Sequence, residues 1–201
     1  VALVNRLISE SLRPRHLPRL ALNQGIPAEH RVMVVIPALL SSAAGVTELL
    51  QRLRLHHLAN PETHAQFALL GDWADADTEH ADTDAALLAA AVEGIAALNA
   101  RHPEPAGQAP RFILLQRQRR FSTSEQRWIG WERKRGKLEQ LIAAIAEDDP
   151  AAFLDLGESS LIAPGTRYLV TLDADTGLPP GRLRELVGVA AHPHNAPRLD
   201  P

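Results

Sequence analysis

The run Arg31-Val32-Met33-Val34-Val35-Ile36-Pro37 constrains this chain more than any other segment. It is continuously apolar and rich in β-branched residues, and it is closed by proline, so it reads as a strand that must be covered on both faces, as in a parallel sheet. Helix-period stripes and further apolar runs alternate after it. Val46, Leu49, Leu50, Leu53 and His57 form one stripe, Phe67-Ala68-Leu69-Leu70-Gly71 a second strand, and Leu88, Val92, Ile95 and Leu98 another stripe. That helix is expected to start near Asp82-Thr83-Asp84, whose oxygens can cap it. A loop rich in Pro leads to a third strand, Arg111-Phe112-Ile113-Leu114-Leu115. Leu138, Leu141, Ile142 and Ile145 mark the next helix, 168 to 172 the fourth strand, and Pro179-Pro180 the opening of a last helix. Such alternation predicts an α/β fold with a doubly wound, mostly parallel sheet.

Composition narrows the function classes. With 201 residues and 45% apolar content, the chain can bury one substantial core. Residues 1-30 read as an N-terminal connector rich in Arg and Pro, and 31-201 as the folded part. The absence of cysteine leaves any metal chemistry to Asp, Glu and His. No stretch approaches the length of a membrane span, and a net charge of -3 argues against a general nucleic-acid surface. The first residue is not Met, which suggests an excised piece. Charge is uneven, however: Arg117 to Lys137 carries eight Lys/Arg against Glu125 and Glu132, so this segment would attract an anion.

Three strand ends gather the candidate chemistry. Pro37 follows the first strand, Asp72 and Asp75 the second, and Asp173 and Asp175 the fourth. Parallel strands place these ends on one edge, where ligands of open α/β sheets bind. Magnesium binds through one or two protein carboxylates plus substrate phosphates, which suits Asp173-Ala174-Asp175 beside a nucleotide diphosphate. Asp72 can accept from a base or ribose hydroxyl, or can equally be a turn former.

Gly130-Trp131-Glu132-Arg133-Lys134-Arg135-Gly136-Lys137-Leu138 fails the P-loop pattern, with the wrong spacing between glycines and Leu138 in place of Ser or Thr. Gly136 instead permits close backbone approach, and Lys137, at a helix start, can meet phosphate. Arg117, Arg119 and Arg120 are expected on a solvated face. Trp128 and Trp131 are expected to pack, with stacking on a base or sugar as the alternative. The histidines have no metal-ligand spacing and are read as structural or exposed.

Together these segments resemble the glycosyltransferase domain of bacterial cyclic β-1,2-glucan synthases. The resemblance rests on Leu17-Pro18-Arg19-Leu20 with Gly25-Ile26-Pro27, Val34 to Leu40, His57-Leu58-Ala59-Asn60-Pro61, Phe67 to Ala76, Gly130 to Glu139 and Thr171 to Thr176. It implies a GT-A-like nucleotide-diphospho-sugar transferase fold, of which 31-201 would be the donor-binding part, truncated before the acceptor half. It further implies UDP-glucose as donor, Mg2+ or Mn2+ as cofactor, and inverting transfer onto a β-glucan acceptor chain. The remainder of a large synthase would be the partner, holding the domain at the cytoplasmic face of the bacterial inner membrane. By the same resemblance Pro37, Asp72, Asp75, Lys137 and Asp173 contact the donor and Asp173 and Asp175 the metal, while the general base lies outside the chain. Gly71 stands where the family is expected to carry Ser. Two other readings compete: a nucleotidyltransferase acting on a sugar phosphate, which usually has a Gly-rich loop after the first strand, and a non-catalytic anion-binding or docking module.

Overall fold

The computed structural model describes residues 17–147, 149–173 and 175–197. Its centre is a four-stranded sheet in the order β3-β2-β1-β6, built from β1 (Val32–Leu40), β2 (Ala65–Trp73), β3 (Phe112–Gln116) and β6 (Tyr168–Thr171). All three pairings are parallel, with Val34 opposite Phe67, Phe67 opposite Phe112 and Val35 opposite Thr171. The four helices are α1 (Ala43–Ala59), α2 (Asp84–Arg101), α3 (Arg133–Glu147) and α4 (Arg182–Ala190).

Period-two alternation sends successive strand residues to opposite faces, and both faces are covered. Val34, Ile36, Phe67, Leu69, Phe112 and Leu114 pack with Val46 and Leu53 of α1, Ala91 and Ile95 of α2 and Leu183 and Val187 of α4. Met33, Val35, Ala68, Leu70, Ile113 and Leu115 pack with Leu141 and Ala144 of α3 and with Phe153. The chain therefore lays β1, β2 and β3 down in one direction, crosses beneath the sheet through α3, and returns to pair β6 on the other side of β1. This reversal makes the carboxyl ends of β1 and β6 a topological switch point.

Two elements differ from the sequence-based expectation. An antiparallel hairpin, β4 (Arg120–Ser122) with β5 (Arg127–Ile129), precedes α3, and a bridge between Trp128 and Ala76 docks it beside the end of β2. Each hairpin strand has three residues, too few for an alternation to register. Helix α3 begins at Arg133, earlier than its apolar stripe indicates, and Ile142 of that stripe is 56% exposed. At α2 the N-cap is Thr83, with no side-chain cap bond; Asp84 instead accepts from the Ala81 N–H.

The segment before β1 is tied to the sheet's outer layer. Leu20 N–H donates to Gly188 O at 2.9 Å, and Glu62 accepts from Ile26 N–H while pairing with Arg184 at 2.7 Å. Gly188 is required for this approach, since a Cβ there would stand 2.6 Å from Leu20 O.

A candidate anion-binding cleft at the switch point

The carboxyl ends of β1 and β6 open into a cleft of about 470 Å³, lined by Pro37, Ala38 and Leu39 of β1, Gly45, Glu48, Leu49 and Arg52 of α1, Lys134 and Lys137 of α3, and Asp173 after β6. The sequence places Pro37 after the strand, but it lies within β1. It is tolerated there because Val35 O accepts from Leu172 N–H at 2.9 Å, which turns the backbone of Val35 and of Pro37 toward β6 after that strand has ended. The N–H that proline lacks therefore has no ladder partner to lose.

Beneath the cleft lies a buried charge cluster. Asp72 belongs to β2 rather than to the loop after it, and it is 5% exposed. It continues the Ala68, Leu70 alternation onto the α3 face. Arg117 continues the Ile113, Leu115 alternation of β3 onto the same face and is 2% exposed. The two meet in a bidentate pair, Nε to Oδ1 at 2.7 Å and Nη2 to Oδ2 at 3.0 Å. The remaining guanidinium N–H groups donate to Trp131 O at 3.1 Å, Gln140 Oε1 at 2.6 Å and Arg133 O at 3.2 Å. All five donors that arginine possesses are used, which is what allows a fixed charge to be buried.

Lys137 completes the cluster from the second turn of α3. Its ammonium donates to Ala38 O at 2.9 Å and lies 3.2 Å from Asp72 Oδ2. Burial is the main influence on this amine and lowers its pKa, opposed by the Asp72 carboxylate. An ammonium has three N–H donors, and two have partners among the described residues, which leaves one at the wall of the cleft. Gly130 backs the cluster: a Cβ there would stand 2.9 Å from either Asp72 carboxylate oxygen.

The expected site residues thus divide by position. Pro37, Lys137 and Asp173 share the cleft. Asp72 lies below it and touches it through Lys137. Asp75 pairs with Arg133 at 3.0 Å on the other side of the first turn of α3. Asp173 is held by the Lys134 ammonium, and Asp175, two residues further on, is exposed. Among the described residues no three His, Asp or Glu side chains gather into a metal-binding group. A magnesium-type ion needs only one or two carboxylates beside phosphate, however, and Asp173 already carries a cation in the form of the Lys134 ammonium. Asp173 supplies one such carboxylate at the cleft.

Arg117 and Arg119 are corrections to the solvated face expected of them. Arg117 is the hub described above, and Arg119 is bound by Asp84 and lies 5.6 Å above the Trp73 ring; Arg120 is exposed as expected. Strand alternation carried past the end of β3 is the signal that would have found Arg117. Gly136 does permit close approach, but to its own entry loop, since a Cβ there would lie 2.3 Å from Trp131 O. At Gly71 the volume a side chain would fill is taken by Gln116, whose Oε1 lies 2.0 Å from the position of a Cβ. Buried His57 packs among aromatic rings, edge-on against Phe67, Phe112 and His102.

Fold and cleft define an α/β domain of the doubly wound parallel class, with a cation-rich pocket at its switch point. No family model matches the chain. Cyclic beta-(1,2)-glucan synthase NdvB of Rhizobium meliloti (strain 1021) is 38% identical to it across 201 residues, the whole of this chain, which spans 7% of that protein's length. The chain is therefore a relative of the cyclic β-(1,2)-glucan synthases, matching a small segment of one, as its motifs indicated.

Proposed function

We propose that this chain is the nucleotide-sugar-binding part of an inverting, GT-A-type glycosyltransferase that uses UDP-glucose to extend β-1,2-glucan. The observation that carries the reading is the Lys137 ammonium, buried at the wall of a switch-point cleft with one N–H left over. Kinship with a cyclic β-glucan synthase supplies the reaction class.

The cleft favours an anion. Arg52, Lys134 and Lys137 stand against Glu48 and Asp173, three cations to two carboxylates. Lys137 would bind a diphosphate oxygen from a position fixed by Ala38 O and Asp72, so that little reorganisation is needed as charge develops on the departing UDP. Lys134 would leave Asp173 to contact phosphate, and Asp173 with Asp175 would hold Mg2+ or Mn2+. That ion, when bound, neutralises charge on the diphosphate. Asp72 and Arg117 position the cationic wall, and Asp75, by holding Arg133, fixes the start of the helix that presents Lys134 and Lys137. The carboxylates that line the cleft are both engaged, Glu48 by Arg52 at 2.6 Å and Asp173 by Lys134, and neither is assigned as the base. No described helix is long and apolar enough to cross a membrane; attachment to the inner membrane would come through the rest of a longer synthase.

Titration calorimetry with UDP-glucose tests the proposal. The wild-type chain is expected to bind in the presence of manganese and to lose most of that affinity with EDTA. Lys137→Met should weaken binding by roughly tenfold or more, the scale of one charge-assisted hydrogen bond. Equal affinity with and without divalent metal would remove Asp173 and Asp175 from the site.

A further inference from the structure

The first turn of α3 separates the cleft from a second groove of about 450 Å³ under the β4-β5 hairpin, with Phe121, Ser124, Glu125, Trp131, Glu132 and Arg133 among its walls. Two aromatic side chains face outward in it, with Phe121 47% and Trp131 40% exposed. Both are held in place. Phe121 meets Trp128 edge-on at 5.7 Å between centroids. The Trp131 ring lies against α3 where Gly136 makes room, Cε3 being 2.7 Å from the position a Cβ would take. The Trp131 carbonyl accepts from the buried Arg117 at 3.1 Å, and the backbone turns through Glu132 and Arg133 at φ +49° and +47°, a conformation that L residues rarely adopt.

A loop bent against local preference and fixed by a saturated guanidinium keeps a tryptophan in water. The polar rim is equally ordered. Arg133 is gripped on one side by Asp75 and on the other by Glu125, each at 3.0 Å. Rigid aromatic faces beside guanidinium, carboxylate and hydroxyl groups match the two-sided character of a pyranose, whose axial C–H face is apolar and whose equatorial hydroxyls pair with planar forks. Arg133 lines this groove and its neighbour Lys134 lines the cleft, so ligands of the two would meet across one turn of helix.

We propose that the Phe121–Trp131 groove binds the β-linked glucan, stacking a glucose ring on Trp131 with its hydroxyls on Glu132 and Arg133. The assignment of glucan rather than another saccharide rests on the proposed transferase function. No covalent step occurs in the groove; it positions a chain beside the donor cleft.

The test is calorimetry of the 201-residue chain with linear β-1,2-linked gluco-oligosaccharide and, separately, with UDP-glucose and manganese, for wild type, Trp131→Ala, Trp131→Tyr and Phe121→Ala. Wild type should bind the oligosaccharide, Trp131→Ala should weaken it by about tenfold, and Trp131→Tyr should retain most of it. UDP-glucose affinity should be unchanged in every variant. If Trp131→Ala unfolds by circular dichroism, Phe121→Ala, on an exposed hairpin, carries the comparison. Wild type that binds UDP-glucose but no glucan overturns the groove and leaves the donor reading standing; glucan binding without UDP-glucose does the reverse. Loss of UDP-glucose binding in Trp131→Ala, with glucan unaffected, means that the ring stacks on the base and also overturns the proposal.

Discussion

At the scale of single residues, the decisive feature is a charge cluster placed where sequence composition suggests solvent. One carboxylate, Asp72, faces both the Arg117 guanidinium and the Lys137 ammonium in a buried layer, so the cluster keeps a net positive charge. Removing the carboxylate leaves both cations buried without a counterion, which costs more than either pair itself contributes. Asp72→Ala should therefore lower unfolding stability by about 3–5 kcal/mol, and Asp72→Asn, which keeps the shape and one acceptor, by distinctly less. Urea denaturation of the two variants checks this order; equal losses would mean that volume rather than charge holds the site. The carboxylate itself was legible as a candidate from the sequence. Its depth was not, because a strand that continues three residues past its last aliphatic looks like a loop when only hydropathy is read.

At the scale of elements, the entry into α3 decides where three basic residues point. Arg133 turns to the groove, Lys134 to the cleft and Lys137 to the buried cluster, and this phasing depends on the strained turn at Glu132 and Arg133. Gly136 makes the turn possible by its lack of a side chain. Gly136→Ala would place a methyl 2.3 Å from a carbonyl that Arg117 also holds, with neither free to retreat. Despite the higher helix propensity of alanine, the variant should be destabilised by roughly 1–3 kcal/mol, as overpacked sites are, and should bind UDP-glucose more weakly. Chemical denaturation beside calorimetry checks both; a gain in stability would show that the loop is free to move. The helices and long strands were visible as periodic patterns. The hairpin and the true start of α3 were not, since three-residue strands carry no period and the basic first turn of α3 has no apolar stripe.

For the whole molecule, the two edges of the sheet bury different ionisable groups. Cations crowd the carboxyl edge, while the amino edge buries neutral histidine. His57 sits among Phe67, Phe112 and His102, and burial, with Arg111 and His102 nearby, lowers its pKa to about 4. Burial likewise lowers that of His102. Below the ordinary histidine value of 6.5 the unfolded chain takes up protons that the folded chain refuses until pH approaches 4, so stability falls as pH drops through that window. Thermal melts from pH 7.5 down to 4.5 should show a declining midpoint, with a shallower decline in His57→Leu; parallel profiles would assign the acid sensitivity to other groups. The alternation of the long strands with the helices, the two-face burial of β1, and the kinship with a glucan synthase were all legible in sequence alone, because periodicity and ordered motifs are local and survive without coordinates. Which charges share a cavity was decided only by the tertiary structure. The reversal at β1 and the crossing of α3 set Lys137 over Asp72, and no spacing along the chain encodes a meeting of a β1 carbonyl with side chains from β2, from the residue after β3 and from a helix.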